Sequence, residues 1–327
     1  MGRSFFLLSG LSIQMKGIFS NRSALFQLGI LLYFAFIGLL LSPAIGHAVI
    51  YISGLLSGNR PAADSPDISF YALHTSQFFS GILIFILPAI CTAYFCSKTP
   101  AEFLKIKRSV DIKILLLSAI MLLLISPAID IATYLNSKIY LPEFMSPVAD
   151  WMQKAEEHAA NITEKVLSEK GFFPFVANIF IIGVMAGLTE EFFFRGALMS
   201  IIIKKIKKPH AAIWIVAIIF SIIHFQFSGF IPRILLGAYL GYLLYWTRNI
   251  WVPVFAHFLN NTIAITGYKM GLFQLSHESS ALIKTDTDTN DIYITVIVAI
   301  VGLALFALCV RKLKKRCLPA ENEYAPD

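Results

Sequence analysis

Long, uninterrupted apolar blocks constrain this chain more than any other feature of its sequence. A bilayer whose hydrocarbon core is roughly 30 Å thick requires helices of about 18 or more predominantly apolar residues, and such blocks recur along the chain. Hydrophobic residues make up 57% of the sequence and charged residues 14%, with a mean hydropathy of +0.71. Soluble domains carry nearly twice that charged fraction, about 25%. The sequence therefore predicts an all-α, polytopic integral membrane protein.

The apolar blocks predict about eight transmembrane helices. The predicted spans cover residues 24–45, 70–96, 114–135, 172–203, 211–227, 231–247, 251–270 and 292–310. Three regions follow from this division. Residues 1–171 form an N-terminal membrane region with three spans and an outer amphipathic loop, and residues 172–271 form a core of four spans. Residues 272–327 contain an acidic outer loop, the last span and a basic cytoplasmic tail.

The net charge of +7 is explained by topology. The basic clusters KIKR, KKIKK and RKLKKR all fall on one predicted side of the membrane, whereas acidic residues outnumber the scattered bases on the other side. Cytoplasmic loops of membrane proteins carry an excess of Lys and Arg. We therefore predict a bacterial inner-membrane protein with both termini in the cytoplasm. The lipid bilayer is its predicted partner, and nucleic acid is not.

Two segments outside the spans have an amphipathic character. Residues 1–20 contain a short apolar run without a convincing cleavage site, and they predict a stretch that lies at the membrane interface. Residues 136–171 mix charged and apolar residues. They indicate either an amphipathic helix, on the membrane or on the outer face of the protein, or a plain spacer.

Polar residues inside the predicted core are the main functional signal. Charged side chains near the middle of a bilayer are costly, so they are rare and usually functional. The core contains several charged or polar residues, namely Glu190, Glu191, Arg195, His224, His257, Asn260 and Asn261. Each has a structural interpretation on its own, because membrane histidines and asparagines also bond to neighbouring helices. Their concentration within one hundred residues favours a functional cluster.

Helix geometry assigns different positions to the two glutamates. Glu191 and Arg195 are four residues apart and share a helix face, so they can form an ion pair. Glu190 lies about 100° around the helix from Glu191 and should point elsewhere. Counted from the cytoplasmic ends at about 1.5 Å per residue, Glu190 and His224 lie roughly 20 Å deep. His257 lies at about 10 Å by the same count, so helix lengths allow a single cluster.

The three motifs EEFFFR, FSIIH and HFLNN resemble, in this order, the EExxxR, FxxxH and HxxxN motifs of the CAAX-protease and bacteriocin-processing family. The resemblance to these intramembrane proteases, the relatives of type II CAAX prenyl endopeptidases, covers residues 172–271. It implies that the four-span core is catalytic and hydrolyses a peptide bond of a membrane-associated protein or peptide. By position it makes Glu190 the base that activates water. The remaining motif residues are Glu191, Arg195, His224, His257 and Asn261.

The residue types suit amide hydrolysis in their own right, and they leave two mechanisms open. The reaction needs a base for water, donors for the oxyanion and a proton for the leaving nitrogen. His257 and Asn261 share a helix face and could serve as the donors. In the alternative, Glu190, His224 and His257 bind zinc as a two-histidine, one-carboxylate site. The sequence has no HExxH motif, so local spacing does not require a metal, and we favour activated water.

Two other functional classes fit a polytopic membrane protein. The first is a non-catalytic immunity or scaffold protein of the same fold, whose phenotype would survive the loss of Glu190. The second is a transporter that uses buried Glu and His residues as a proton relay. Transporters of that kind often contain inverted repeats, and this sequence shows no internal duplication. The enzyme is therefore the favoured interpretation.

Overall fold

The computed structural model describes residues 15–56, 70–107, 109–139, 141–275, 282–284 and 289–317. The interfacial segment predicted at the N-terminus falls largely outside these ranges. The same holds for much of the acidic outer loop and for the end of the basic tail.

The described residues form helices α1 to α10 and one short hairpin. The helices are α1 Ala24–Leu56, α2 Phe70–Cys96, α3 Pro100–Phe103, α4 Ile112–Asn136, α5 Ser146–Ser168, α6 Phe172–Ile206, α7 Pro209–Ile222, α8 Phe230–Thr247, α9 Trp251–Lys269 and α10 Thr289–Cys317. A 3₁₀ turn, Glu143–Met145, precedes α5. Strands β1 Phe273–Leu275 and β2 Leu282–Lys284 pair in antiparallel register. The predicted all-α class is confirmed, with this hairpin as a small addition.

Five of these helices are long and apolar enough to cross a membrane: α1, α2, α4, α6 and α10. They coincide with five of the predicted spans. Large apolar side chains on them, such as Leu40, Leu123 and Ile300, are exposed, as lipid-facing residues would be. The integral membrane class is thus supported.

The predicted number of eight spans is not confirmed. Helix α7 has only 14 residues, about 21 Å at 1.5 Å per residue, which is shorter than the hydrocarbon core. Helices α8 and α9 have 18 and 19 residues, but their polar and small residues lower their mean hydropathy. Arg233, His257 and Asn261 are examples. The membrane signal of α7 is thus weakened by its length, and that of α8 and α9 by their polar residues.

The chain divides into two compact units. The first contains the described residues up to 107 and residues 185–212, and the second contains 109–184 and the described residues from 213 onward. The boundary between them falls inside α6, which runs through both. The predicted regions 1–171, 172–271 and 272–327 rest on composition and motifs, and they stay a prediction.

The first unit packs α1, α2 and the second half of α6 together. Gly38 of α1 lies so close to the carbonyl oxygen of Leu83 on α2 that a Cβ atom would not fit. The rings of Phe193 and Phe194 on α6 contact Phe85 on α2, with centroids 5.5 and 6.0 Å apart. Every residue from 191 to 199 is buried. The first motif is therefore buried in this unit from Glu191 onward, whereas Glu190 keeps some exposed surface.

The second unit has a core built from α4, α8, α9 and α10. Met121, Leu240, Leu243, Val252 and Leu313 are fully buried in it. The Tyr239 hydroxyl donates to the Ser118 carbonyl over 2.6 Å, which satisfies a polar group inside this apolar core. Helices α7 and α8 approach each other closely at Gly241 of α8. A Cβ atom at this position would stand only 2.8 Å from the side chain of Ile213 on α7.

Contacts inside the second unit join ends that the predicted topology places on the same side of the membrane. Asp111, which caps α4, bonds to Arg316 at the end of α10 over 3.2 Å. At the other end of α4, Asn136 bonds to the turn between α7 and α8. Both pairs agree with the predicted order of inner and outer loops. Which side is cytoplasmic stays a prediction.

The segment 136–171 is mostly helical and is not a plain spacer. It contains α5, whose Ala160, Val166 and Leu167 are buried against the protein while its charged residues are largely exposed. Asn178 of α6 donates to the Val166 carbonyl over 3.0 Å and fixes the end of α5. Of the alternatives open from the sequence, the structure selects an amphipathic helix packed on the protein.

Candidate active site

The charged residues of the first motif that were predicted to pair do so. Arg195 Nη1 donates to Glu191 Oε1 over 2.7 Å, and both side chains are completely buried. Their spacing of four residues along α6 places them on one face. A buried carboxylate is tolerated when a cation balances its charge, so Glu191 and Arg195 stabilise each other in the first unit.

Glu190 differs from Glu191 in exposure. Its residue is half-buried, whereas Glu191 and the eight residues that follow it have almost no exposed surface. The difference follows from the helix, because consecutive side chains point about 100° apart. Glu190 is therefore the more exposed carboxylate of this pair.

Helix α6 departs from regular geometry on both sides of the two glutamates. It is π-helical over Ile179–Met185 and again over Phe192–Leu198, and the α-helical turn Ala186–Glu191 lies between. Wide π-turns are rare in proteins and occur frequently at functional sites. They change the direction in which side chains leave the helix, so the sequence spacing alone does not fix where Glu190 points.

The second-motif histidine lies in a turn and not within a helix. Helix α7 was predicted to continue to residue 227, but it ends at Ile222, and Phe225 has a φ of 50° that no α-helix contains. His224 nevertheless contacts Phe220, four residues before it. Its Nδ1 lies 2.7 Å from the Phe220 carbonyl oxygen, and the two rings are 4.7 Å apart.

That hydrogen bond determines the tautomer of His224. A carbonyl oxygen only accepts, so Nδ1 must carry the hydrogen and donate it. In the neutral imidazole Nε2 then holds the lone pair. His224 is thereby prepared to accept a proton or to bind a metal through Nε2.

The third-motif histidine shares an aromatic neighbour with His224. The His257 ring lies 6.0 Å from the Phe220 ring at an interplanar angle of 80°, and its residue is only 4% exposed. Phe220 thus contacts both imidazoles. The second and third motifs are thus brought together inside the second unit, and the single cluster that would also include Glu190 stays a prediction.

Asn261 bonds to the helix that carries the first motif. Its Nδ2 donates to the Ile182 carbonyl over 2.8 Å, inside the first π-helical segment of α6. Asn260, to which the sequence assigned no role, donates to Asn261 Oδ1 over 3.2 Å. Nearby, a Cβ atom on Gly183 would stand 3.2 Å from Thr262 Oγ1, which shows how closely α6 and α9 approach.

The described contacts therefore form two groups. One is the Glu191–Arg195 pair with Glu190 beside it, in the first unit. The other is His224 and His257 around Phe220, with Asn261 on the same helix as His257, in the second unit. Within either unit, the described residues contain no trio of His, Cys, Asp or Glu that could hold a metal ion. The distance that joins Glu190 to the histidines stays a prediction.

An open cavity of about 400 Å³ lies away from the motif residues. It is in the second unit, at the start of α6 and the end of α9. Its lining consists of Lys170, Gly171, Phe172, Phe175, Thr266, Lys269 and Met270. The lining includes no motif residue, so we place the candidate site at the motifs and not at this cavity.

Sequence reasoning missed the residues that hold the His224 turn. Asn136 and Glu156 bond to this turn from α4 and α5, between 70 and 100 positions earlier in the chain. No local pattern marks such pairs. The only signal was the polar character of residues 136–171, which suggested a helix without indicating its target.

Comparisons with known proteins agree with the motifs. Residues 172–263 match the model of the Rce1-like family, described as type II CAAX prenyl endopeptidase Rce1-like. The chain is also 25% identical over 120 residues to the uncharacterized protein YpbD of Bacillus subtilis (strain 168). That match covers 36% of this chain, and the chain spans 57% of the length of YpbD. No solved structure matches the chain.

The matched residues begin at the first residue of α6 and end within α9, so they include all three motifs. The resemblance found in the sequence is therefore confirmed for this part of the molecule. Residues 172–263, here called the Rce1-like region, are thus the part of this α-helical membrane protein that is similar to the family.

Proposed function

We propose that this protein is an intramembrane endopeptidase that hydrolyses a peptide bond of a membrane-associated protein or peptide. The supporting observation is the division between its two adjacent glutamates. Arg195 already balances the charge of the fully buried Glu191, whereas Glu190 is half-buried. We assign the structural task to Glu191 and the chemistry with water to Glu190, the more exposed of the two carboxylates.

Glu190 acts as base and then as acid. It takes a proton from water while the water oxygen forms a bond to the carbonyl carbon of the substrate. The resulting tetrahedral intermediate carries a negative oxygen. When the C–N bond breaks, Glu190 returns the proton to the leaving nitrogen, and the products are a carboxyl group and an amine.

The histidines and Asn261 complete the site. Neutral His224 has its lone pair on Nε2, so it can accept a hydrogen bond and orient the attacking water. His257 and the second amide hydrogen of Asn261 are the donors that stabilise the oxyanion, a role worth about 2.7–4 kcal/mol for a single donor in other hydrolases. Phe220 orients both imidazoles through the contacts described above.

Zinc is the alternative to a metal-free reaction. The Nε2 of His224 fits a zinc ligand in kind, because its Nδ1 is bonded to a carbonyl, as in many metal-binding histidines. His257 and Glu190 would complete a two-histidine, one-carboxylate set. When bound, zinc would supply Lewis-acid activation of water. The metal content of purified protein decides between the mechanisms.

A comparison of membrane peptides tests the activity directly. Membranes from cells with the wild-type protein and with Glu190→Gln are digested and compared by mass spectrometry. Glu190→Gln keeps the side-chain volume and loses the base, so we expect at least one membrane-associated precursor to accumulate uncleaved. Glu164→Gln, the same change at an exposed residue of α5, is the matched control and should resemble wild type. Identical peptides in all three strains would support the scaffold alternative.

The accumulated precursor also identifies the substrate class. A prenylated protein ending in a CaaX sequence, the leader of a secreted peptide and a membrane protein under quality control are distinguished by their mass and terminal sequence. A farnesylated peptide with a CaaX end, incubated with purified full-length protein in detergent, tests the first class in vitro.

A further inference from the structure

The turn 223–229, between α7 and α8, carries His224 and has an unfavourable backbone. Phe225, directly after the histidine, has a φ of 50°, in the left-handed region that aromatic residues rarely adopt. Such a conformation persists only when surrounding contacts impose it. The contacts that impose it here come from α4 and α5, outside the Rce1-like region.

Asn136, the last residue of α4, makes two hydrogen bonds to the turn and one to the first residues of α8. Its Nδ2 donates to the carbonyls of Phe227 and Ser228, each over 2.8 Å, and its Oδ1 accepts from the backbone N–H of Ile231 over 3.0 Å. Asn136 is buried. It therefore replaces the backbone partners that the turn lacks, and it fixes the start of α8.

Helix α5 holds the same turn through two side chains. Glu156 accepts hydrogen bonds from the backbone N–H of Ser228 over 2.9 Å and from the Ser228 hydroxyl. The Trp151 ring lies 6.1 Å from the Phe225 ring and 5.6 Å from the Phe227 ring. Trp151 thus packs on the strained residue itself, while Glu156 anchors the turn three positions further on.

Other hydrogen bonds in the turn region link residues that are close to each other in the sequence. Arg233 donates to the carbonyl and the side-chain oxygen of Gln226 over 3.0 and 2.6 Å, and Ser221 Oγ donates to the Phe230 carbonyl over 2.8 Å. These bonds link residues only seven to nine positions apart. They can form without α5, whereas the contacts on Phe225 and on the Ser228 N–H cannot.

We propose that Glu156 and Trp151 of α5 position His224 by clamping turn 223–229. The inference rests on the proposed function, in which His224 orients the attacking water. His224 is held from one side by its bond to Phe220 and from the other by the fixed Phe225. Without the clamp, the turn relaxes towards a favourable backbone and His224 loses its orientation. Glu156 acts through His224, so it is a positioning residue.

The kinetic test uses full-length protein in detergent with the precursor peptide that accumulates in Glu190→Gln membranes. Glu156→Ala should lower kcat by about 10- to 100-fold, the range expected for a misplaced group, and change KM less than about twofold. Glu156→Gln should recover most of the activity, because an amide oxygen accepts the same two hydrogen bonds. Glu164→Ala, on the exposed face of α5, should leave both constants unchanged.

A spectroscopic test does not depend on any substrate. The protein has seven histidines, and a single ¹³C label on each ring gives one resonance per histidine. The resonance of His224 is the one that disappears in His224→Gln. Glu156→Ala should shift the His224 resonance. His74 is an internal control, because its Nδ1 makes the same kind of bond to the Phe70 carbonyl, over 3.0 Å, within α2. Its resonance should not move.

The two hypotheses fail in different ways. An unmoved His224 resonance in Glu156→Ala, or an equal loss of kcat in Glu164→Ala, contradicts the clamp and leaves the proposed function intact. Cleavage that persists in Glu190→Gln contradicts the proposed function, whatever the His224 resonance does.

Discussion

The first motif and the second motif are held in place by different kinds of contact. Glu191 and Arg195 lie four residues apart on one continuous helix, bond over 2.7 Å and are completely buried. His224 lies in a turn whose backbone depends on Asn136 and Glu156, which come from helices far away in the sequence. One region is thus organised by local helix geometry, and the other by tertiary contacts.

The difference predicts how each region responds to mutation. A buried ion pair leaves an uncompensated charge when one partner is removed, so damage to the first motif should appear as loss of the folded protein. The His224 turn is partly exposed and contains no buried charge pair. Damage there should appear mainly as loss of activity in protein that still folds.

The largest effect is expected from Arg195→Met. It leaves the Glu191 carboxylate buried without its cation, which costs about 3–5 kcal/mol in comparable cases. We expect the variant to accumulate poorly in membranes and to unfold at a lower temperature after purification, as measured by thermal denaturation in detergent.

Two companion variants sharpen this expectation. Lys205→Met makes the same change at an exposed position of α6 and should accumulate like wild type. The double variant Glu191→Gln/Arg195→Met removes both charges and should recover part of the stability. Full stability of Arg195→Met alone would contradict a structural role for the pair.

A smaller effect, on turnover, is expected from His257→Ala. Loss of one oxyanion donor should raise the barrier by about 2–4 kcal/mol, with accumulation close to wild type. His210→Ala, at an exposed histidine of α7, is the control. In a metal-free reaction, purified protein should contain little zinc, and its activity should survive a strong chelator. Stoichiometric zinc that leaves with activity on chelation, and returns with it, would contradict the metal-free mechanism.

The apolar blocks were sufficient to predict the membrane class and five long helices. They overestimated α7, because the apolar run continues past Ile222 while the chain already turns. The sequence does not reveal this end, since the contacts at the turn, such as that of Trp151 with Phe225, come from residues far away in the chain. Helices α8 and α9 combine polar motif residues with burial in the second unit, so hydropathy alone does not settle whether they span the membrane.

Some contacts of the candidate site could likewise be predicted from the sequence, and others could not. The Glu191–Arg195 pair could be predicted because i and i+4 residues of a helix always meet. His224 also contacts Phe220, four residues before it, although the helix ends between them. The bond from Asn261 to the Ile182 carbonyl could not be predicted, because it requires the π-helical irregularity of α6 and the close approach of α9 at Gly183.

The central claim is that adjacent glutamates have separate tasks, with Glu190 for chemistry and Glu191 for structure. The most direct measurement compares Glu190→Gln and Glu191→Gln for two quantities, the amount of folded protein in the membrane and the cleavage rate per folded molecule. We expect Glu190→Gln to accumulate normally and to cleave no detectable precursor. Glu191→Gln should accumulate poorly, and its folded fraction should retain far more activity than Glu190→Gln. Normal cleavage by Glu190→Gln, or equal inactivity of two equally stable variants, would contradict the account.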